Sequence, residues 1–202
     1  MKMRSLLGLV AAIGLFVIFA KPLTRVLKYF SPSTNRALVL AADRQSGDLS
    51  QFPIVSGLNL LGERIEFPSD FSDEYNVVVL AYTQEHQNDV YTWLPILAEA
   101  EAALPNFRYY ELPTLPSYNP VFRAQIDGWM IAGIPDEDTR SRTITLYLDV
   151  DAFNQSIGID NTQEIQILLV ADDGNILWKE SGAFSEEKGN SFISRLQEVS
   201  SR

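Results

Sequence analysis

Runs of apolar residues separated by polar segments predict an α/β domain from about Leu58 onward. Residues 76–82 are β-branched and apolar almost throughout, which predicts a central strand buried on both faces. Further strands are predicted at 107–112, 144–150 and 165–170. A turn at 172–174 joins the last of these to 175–178 as a hairpin, and a hairpin-like turn at Gly62-Glu63 opens the domain.

Helical spacing of apolar residues fills the intervals between these strands. One helix is predicted to begin at Asn88 or Asp89 and to bend at Pro95. A second lies within 119–134, a short one at 152–157 ends before Gly158, and a last one spans 186–199. This order of elements predicts a mixed central sheet flanked by helices.

The N-terminal end has the pattern of a membrane or export segment. Residues 5–20 are uncharged and follow Lys2 and Arg4. Small residues suited to cleavage are poorly placed after this run. We therefore expect an uncleaved, single-pass signal anchor with an extracytoplasmic soluble domain, and a cleaved signal peptide is the alternative. The predicted organisation is an anchor at 1–30, a linker at 31–56 and a folded domain at 57–202.

Charge is distributed unevenly along the chain. All 26 acidic residues lie at or after Asp43, whereas six of the 16 basic residues precede it. The segment from Asp43 onward therefore has a net charge of about −16, which repels phosphate backbones. We expect no nucleic-acid partner.

The chain has no cysteine and a single histidine, His86. Without cysteine, thiol redox chemistry, disulfides and thiolate metal ligands are excluded. With one histidine, a multi-histidine metal site is excluded as well. No metal or other cofactor is predicted.

Two segments near the end of the domain resemble a known family. Residues 168–178, LLVADDGNILW, resemble the strand, turn and strand that close peroxiredoxins and thiol-disulfide oxidoreductases. The segment from Tyr147 to Ile159 resembles the strand, short helix and glycine that precede them in the same proteins. This resemblance implies a thioredoxin-like α/β fold from about Leu58 to Val199.

The functional positions of that family hold other residues in this chain. Counting back from Pro95, the family's two cysteines fall at Gln87 and Val90, and its cis-proline falls near Ile165. The resemblance therefore implies a redox-inactive member of the superfamily. More loosely, the chain is similar to the assembly factor for the membrane sector of mitochondrial ATP synthase, which implies a chaperone-like role at a membrane.

A polar loop after the central strand is the first candidate site. Open α/β sheets commonly bind ligands at this position, beside a helix N-terminus. His86 has the chemistry of a general acid or base, and Glu85 is placed to orient it. The alternative is a solvated loop that replaces a lost active site. The candidate residues are Gln84, Glu85, His86 and Gln87.

Two arginines form the second candidate site. Arg140 and Arg142, interleaved with Thr139 and Ser141, suit a carboxylate or phosphate ligand. The alternative is pairing with the acidic residues at 136–138.

Aromatic residues have two possible roles. Helical spacing predicts core packing for Trp93, Tyr109, Tyr110, Phe122 and Trp129. If Trp129 and its neighbour Met130 lie at the surface instead, the insertion at 119–142 becomes the expected partner surface.

Two functions follow from these observations. The first is a membrane-tethered, redox-inactive thioredoxin-like domain that binds a protein partner in the assembly or maintenance of a membrane complex. The second is a small-ligand-binding or hydrolytic domain that uses Glu85, His86 and an arginine of the insertion.

Overall fold

The computed structural model describes residues 51–201. The predicted anchor, including the apolar run at 5–20, and most of the predicted linker lie outside these residues. Within 51–201, no helix combines the length and hydropathy that a membrane span requires.

Within the described residues, seven strands form one mixed sheet in the order β2-β1-β5-β4-β3-β6-β7. β3, β4 and β5 are parallel to one another, and the other neighbouring pairs are antiparallel. The carboxyl ends of the three parallel strands therefore lie at one edge of the sheet. The strands are β1 (Val55–Asn59), β2 (Arg64–Phe67), β3 (Tyr75–Ala81), β4 (Phe107–Pro116), β5 (Ile144–Leu148), β6 (Gln166–Ala171) and β7 (Ile176–Ser181).

Five helices connect or follow the strands in the same part of the chain. The first joins β3 to β4, the second and third form the insertion between β4 and β5, the fourth follows β5, and the fifth closes the domain. They are α1 (Gln87–Ala103), α2 (Pro120–Gly133), α3 (Glu137–Arg142), α4 (Val150–Ser156) and α5 (Glu186–Ser200).

The core has two layers, one on each face of the sheet. β3 shows why: Val77 and Val79 pack with α1 and α5, while Val78 and Leu80 face the opposite layer. All four are fully buried, as expected for a strand covered on both faces. The first layer centres on Trp93, and the second contains a cluster of phenylalanines together with α4.

Residues 51–56, which the sequence places in the linker, belong to the folded domain. Phe52 is 2% exposed and contacts the rings of Phe67, Phe71 and Phe153, with centroids 6.4, 6.1 and 5.9 Å away. β1 also begins at Val55. The predicted domain boundary at 57 is therefore too late.

Several element boundaries also differ from prediction. β4 continues to Pro116, because its first seven residues pair with β3 and its last three pair with β5. Pro113 and Pro116 are the last residues of these two ladders, where a missing N–H is tolerated. The helix α1 begins at Gln87, slightly before its predicted start, and contains Pro95 as predicted, whereas α3 was not predicted at all.

Candidate functional site

His86 joins the loop after β3 to the segment before β6. Its Nδ1 accepts a hydrogen bond from the Tyr82 backbone N–H at 3.2 Å, and its Nε2 lies 3.1 Å from the Gln163 carbonyl oxygen. An acceptor at Nδ1 and a carbonyl at Nε2 require the neutral tautomer with its proton on Nε2. The ring is 7% exposed. Both nitrogens are thus occupied by the protein backbone.

The other members of the predicted loop site have different environments. Gln84 and Glu85 are exposed. Hydrogen bonds from the backbone N–H of Glu85 itself and from the Thr83 side chain hold the pKa of the Glu85 carboxyl below its usual value. Glu85 is therefore a solvated carboxylate with local partners, whereas His86 beside it is buried.

A buried carboxyl group that the sequence did not reveal lies beside this loop. Glu111 of β4 is 7% exposed, and its Oε2 accepts a long hydrogen bond from Gln87 Nε2 at 3.4 Å. Burial raises the pKa of the Glu111 carboxyl, against smaller lowering effects from Gln87 and Arg142. Glu111 occupies an alternating strand position that an apolar residue normally fills, and this is the signal that could have identified it.

A second buried polar pair lies on the opposite layer. The Tyr82 hydroxyl donates to Asn154 Oδ1 at 2.9 Å, and burial raises the pKa of Tyr82. Asn154 Nδ2 has no hydrogen-bond partner in the described residues. This pair ties α4 to the end of β3.

Arg142 is a buried structural residue. Its Nη1 donates to the two carboxylate oxygens of Glu101 at 2.9 and 3.1 Å, and its Nη2 donates to Asp138 at 2.6 Å. The guanidinium also lies 4.4 Å from the ring centroid of Tyr109. Its charge is therefore already balanced within the domain.

Arg140 binds the end of α2. Its Nε donates to the Ile134 carbonyl at 2.6 Å and its Nη2 to the Ile131 carbonyl at 2.8 Å. The alternative of pairing with the acidic residues at 136–138 therefore fits Arg142, through Asp138, whereas Arg140 binds backbone carbonyls. Neither arginine joins Glu85 and His86 in a common site.

The most exposed apolar surface of the insertion is α2. None of its 14 residues is buried, which corrects the prediction that Phe122 and Trp129 pack in the core. Val121, Phe122, Trp129 and Ile131 are 82, 39, 62 and 37% exposed. We define the outer face of α2 as its exposed residues between Pro120 and Gly133: Val121, Phe122, Ala124, Gln125, Gly128, Trp129, Ile131 and Ala132.

The charged residues of α2 point towards the sheet. The Asp127 carboxylate accepts a hydrogen bond from the Tyr147 hydroxyl at 2.8 Å, and the Arg123 guanidinium lies 5.0 Å from the centroid of the same ring. Ile126 and Met130 are half-buried on the same side. A surface helix normally keeps its charges outside and most of its apolar residues inside, and α2 does the reverse. Helical spacing alone could not reveal this inversion, because it does not say which face meets the protein.

A cavity of about 460 Å³ lies at the other end of the domain from His86. It lies beside the β6–β7 turn, where Phe52, Pro68, Asp172 and Asp173 line it. The backbone of Asp172 bonds to Glu74, just before β3 begins, whereas His86 follows the end of β3. The cavity is therefore separate from the predicted loop site.

Comparison with solved structures identifies the fold. A thiol:disulfide interchange protein from Bacteroides sp. has a TM-score of 0.51 at 18% identity, covering 77% of this chain and 91% of that one. BsSco, from the Sco family of cytochrome c oxidase assembly proteins, has a TM-score of 0.52 at 14% identity, covering 78% and 99%. Copper-bound ScoI from Arabidopsis thaliana has a TM-score of 0.50 at 8% identity, covering 75% and 99%.

The domain has a thioredoxin-like fold. At these identities the comparison establishes the fold alone. No protein-family model matches the chain, and no curated protein matches it by sequence.

Proposed function

We propose that this chain is a redox-inactive thioredoxin-like domain that binds a protein partner at a membrane and acts in the assembly of a membrane complex. The complete absence of cysteine supports the first part, because thiol-disulfide exchange requires a thiolate. Copper binding is disfavoured because copper prefers thiolate, thioether and imidazole ligands. The chain has no thiolate, and both nitrogens of its one imidazole, His86, bond to the backbone.

The outer face of α2 is the observation that carries the protein-binding part. Soluble domains seldom expose a continuous apolar surface that has no function. Four of the large exposed apolar side chains of the described domain, including Trp129, lie on this one helix. Trp and Phe at the surface are typical of the residues that dominate binding energy at protein interfaces.

The location at a membrane rests on residues 5–20, which have the pattern of an uncleaved anchor. In this proposal the anchor holds the domain beside its partner, on the extracytoplasmic side. Assembly factors with this fold exist, since BsSco belongs to a family of cytochrome c oxidase assembly proteins. The narrower resemblance to the ATP synthase assembly factor stays a prediction.

A ligand-binding or hydrolytic function is the weaker candidate. It requires His86 to exchange a proton with a substrate, yet Tyr82 N–H and the Gln163 carbonyl occupy its ring nitrogens. It also requires an arginine, and both Arg140 and Arg142 already bind groups of the domain itself. No observation favours this function over partner binding.

Affinity purification of the full-length protein from gently solubilised native membranes, followed by mass spectrometry, tests the proposal. We expect repeated recovery of the subunits of one membrane complex, with much less recovery when residues 1–30 are deleted. Recovery no higher than an untagged control would contradict it. A disulfide-reduction assay on the same preparation should give no turnover.

A further inference from the structure

The outer face of α2 contains a shallow strip of small residues between larger ones. Ala124, Gly128 and Ala132 follow one another at intervals of four and are all exposed. Residues at this spacing lie on one side of a helix. Phe122 and Trp129 stand beside the strip. A strip of this kind lets the backbone of a second helix approach closely, between larger side chains that pack along its sides.

Gly128 has no structural role inside the domain. A Cβ at this position would meet no atom within 4 Å, and the same holds for Gly133. Glycine inside a helix costs about 0.5–1 kcal/mol relative to alanine. Within the described domain nothing requires its small size, whereas close approach by a partner does.

The helix is nevertheless firmly held. Asn119 accepts from the Phe122 backbone N–H and caps its first turn, while Arg140 binds carbonyls of its last turn. Tyr147 holds its middle through Asp127. The outer face is therefore presented on a fixed helix, and this reduces the entropy lost on binding.

Charge favours a protein over a lipid surface as the occupant. The outer face has no charged residue, and it ends at the exposed acidic residues Asp136 and Glu137. Interfacial helices that bind lipid typically have lysine and arginine on their polar face. The segment from Asp43 onward, at about −16, is instead repelled by anionic lipids. A partner with basic residues beside an apolar contact complements this arrangement.

Charge disfavours a second copy of this chain. The segment from Asp43 onward has a net charge of about −16, so two copies brought together would repel one another.

We infer that the outer face of α2 binds an apolar α-helix of the partner protein, with basic residues flanking the contact. This inference rests on the proposed function, since it specifies the part of the partner that is recognised. The partner helix packs along the strip at 124, 128 and 132, against Trp129 and Phe122.

Site-specific photocrosslinking in native membranes tests the inference. A benzophenone amino acid replaces Gln125 in the full-length protein, because this side chain is exposed on the outer face. We expect crosslinks to one apolar helical segment of one partner, at helical spacing and next to lysine or arginine. Gly128→Leu should reduce these crosslinks about tenfold, because the added side chain fills the strip.

Ile54→Gln is the matched control, since Ile54 is 80% exposed and lies outside the insertion. It should leave the crosslinks within about twofold of wild type. A thermal midpoint no lower than that of wild type would show that Gly128→Leu still folds. Crosslinks to lipid, to a second copy, or at full yield in Gly128→Leu would overturn the inference. Crosslinks at wild-type yield in Gly128→Leu would contradict only the binding site and would leave the proposed function standing. If neither the crosslinking nor the affinity purification recovered a partner, both the binding site and the proposed function would be wrong.

Discussion

At the scale of single residues, His86 acts as a hydrogen-bonded bridge between two chain segments. Substituting alanine would leave the Tyr82 N–H and the Gln163 carbonyl without their side-chain partner. Gln163 is exposed, so its carbonyl can bind water instead, whereas the Tyr82 N–H is half-buried. A buried group left without a partner costs about 1–3 kcal/mol, and we expect His86→Ala to lower the free energy of unfolding by about this amount. Urea denaturation measures this change.

Glu85→Ala is the control for this prediction. Glu85 is exposed, so its loss should change the free energy of unfolding by no more than about 0.5 kcal/mol. If His86→Ala were as stable as wild type, the bridging role would be wrong and a catalytic role would regain support.

Glu111 gives the domain a dependence on pH. Burial raises the pKa of its carboxyl above the ordinary value of 4.5, so the folded state holds this proton more tightly than the unfolded state. This tighter binding adds to the free energy of unfolding at pH values below 4.5. The added stability is lost as pH rises through the pKa of Glu111 in the folded state. We expect Glu111→Gln to stabilise the domain at pH 7, with the gain disappearing near pH 4.

The measurement is urea denaturation of both proteins from pH 4 to pH 8. Asp160→Asn, at an exposed position, should not show the same trend. A gain from Glu111→Gln that did not change with pH would indicate a packing effect and not a buried charge.

At the scale of helices and strands, two glycines in helices should respond oppositely to alanine. A Cβ at Gly128 of α2 meets open space, whereas a Cβ at Gly189 of α5 would lie 2.5 and 2.8 Å from ring carbons of Phe184. Gly128→Ala should therefore raise the free energy of unfolding by about 0.5–1 kcal/mol. Gly189→Ala should lower it by about 1–3 kcal/mol through overpacking.

Thermal and urea unfolding of the two variants check this pair. Destabilisation by Gly128→Ala would mean that α2 packs more closely against the domain than described. If Gly189→Ala were stabilising, the Phe184 ring would have moved away without cost.

Residue pattern alone predicted most of the elements. The continuous apolar runs of β3 and β6 indicate buried strands, and the helical spacing of apolar residues in α5 indicates a helix with one face in the core. The insertion was harder to predict, because its helices meet the sheet through polar contacts, from α2 to Tyr147 and from Arg142 to Tyr109. Polar anchoring of this kind leaves no apolar period, so α3 was missed and the apolar face of α2 was assigned to the core.

The candidate site was predicted only in part, for a related reason. The sequence located the loop after β3, but one-dimensional spacing cannot show that backbone groups occupy both nitrogens of His86. Nor can it pair Gln87 with Glu111, which lies 24 positions away.

At the scale of the whole molecule, the domain depends on residues before its predicted boundary. A chain that begins at 57 lacks Phe52, which lies in the phenylalanine cluster with Phe67 and Phe71. Loss of a buried phenylalanine side chain costs about 3–5 kcal/mol. We expect the 57–202 fragment to be less stable than the 51–202 fragment by at least this amount, as measured by urea denaturation. Equal stability would mean that Phe52 is dispensable.

The same N-terminal attachment decides where mechanical load enters the fold. Any tension on the chain before residue 51 first reaches the bond from Phe52 N–H to the Gly174 carbonyl and the bond from the Gln51 side chain to the Asp173 carbonyl. The next contact to bear the load is the buried Phe52 ring. β1 pairs with β5 at only two residue positions. A pulling force would therefore peel β1 and β2 away first, while the sheet under α2 kept its shape and the outer face its geometry.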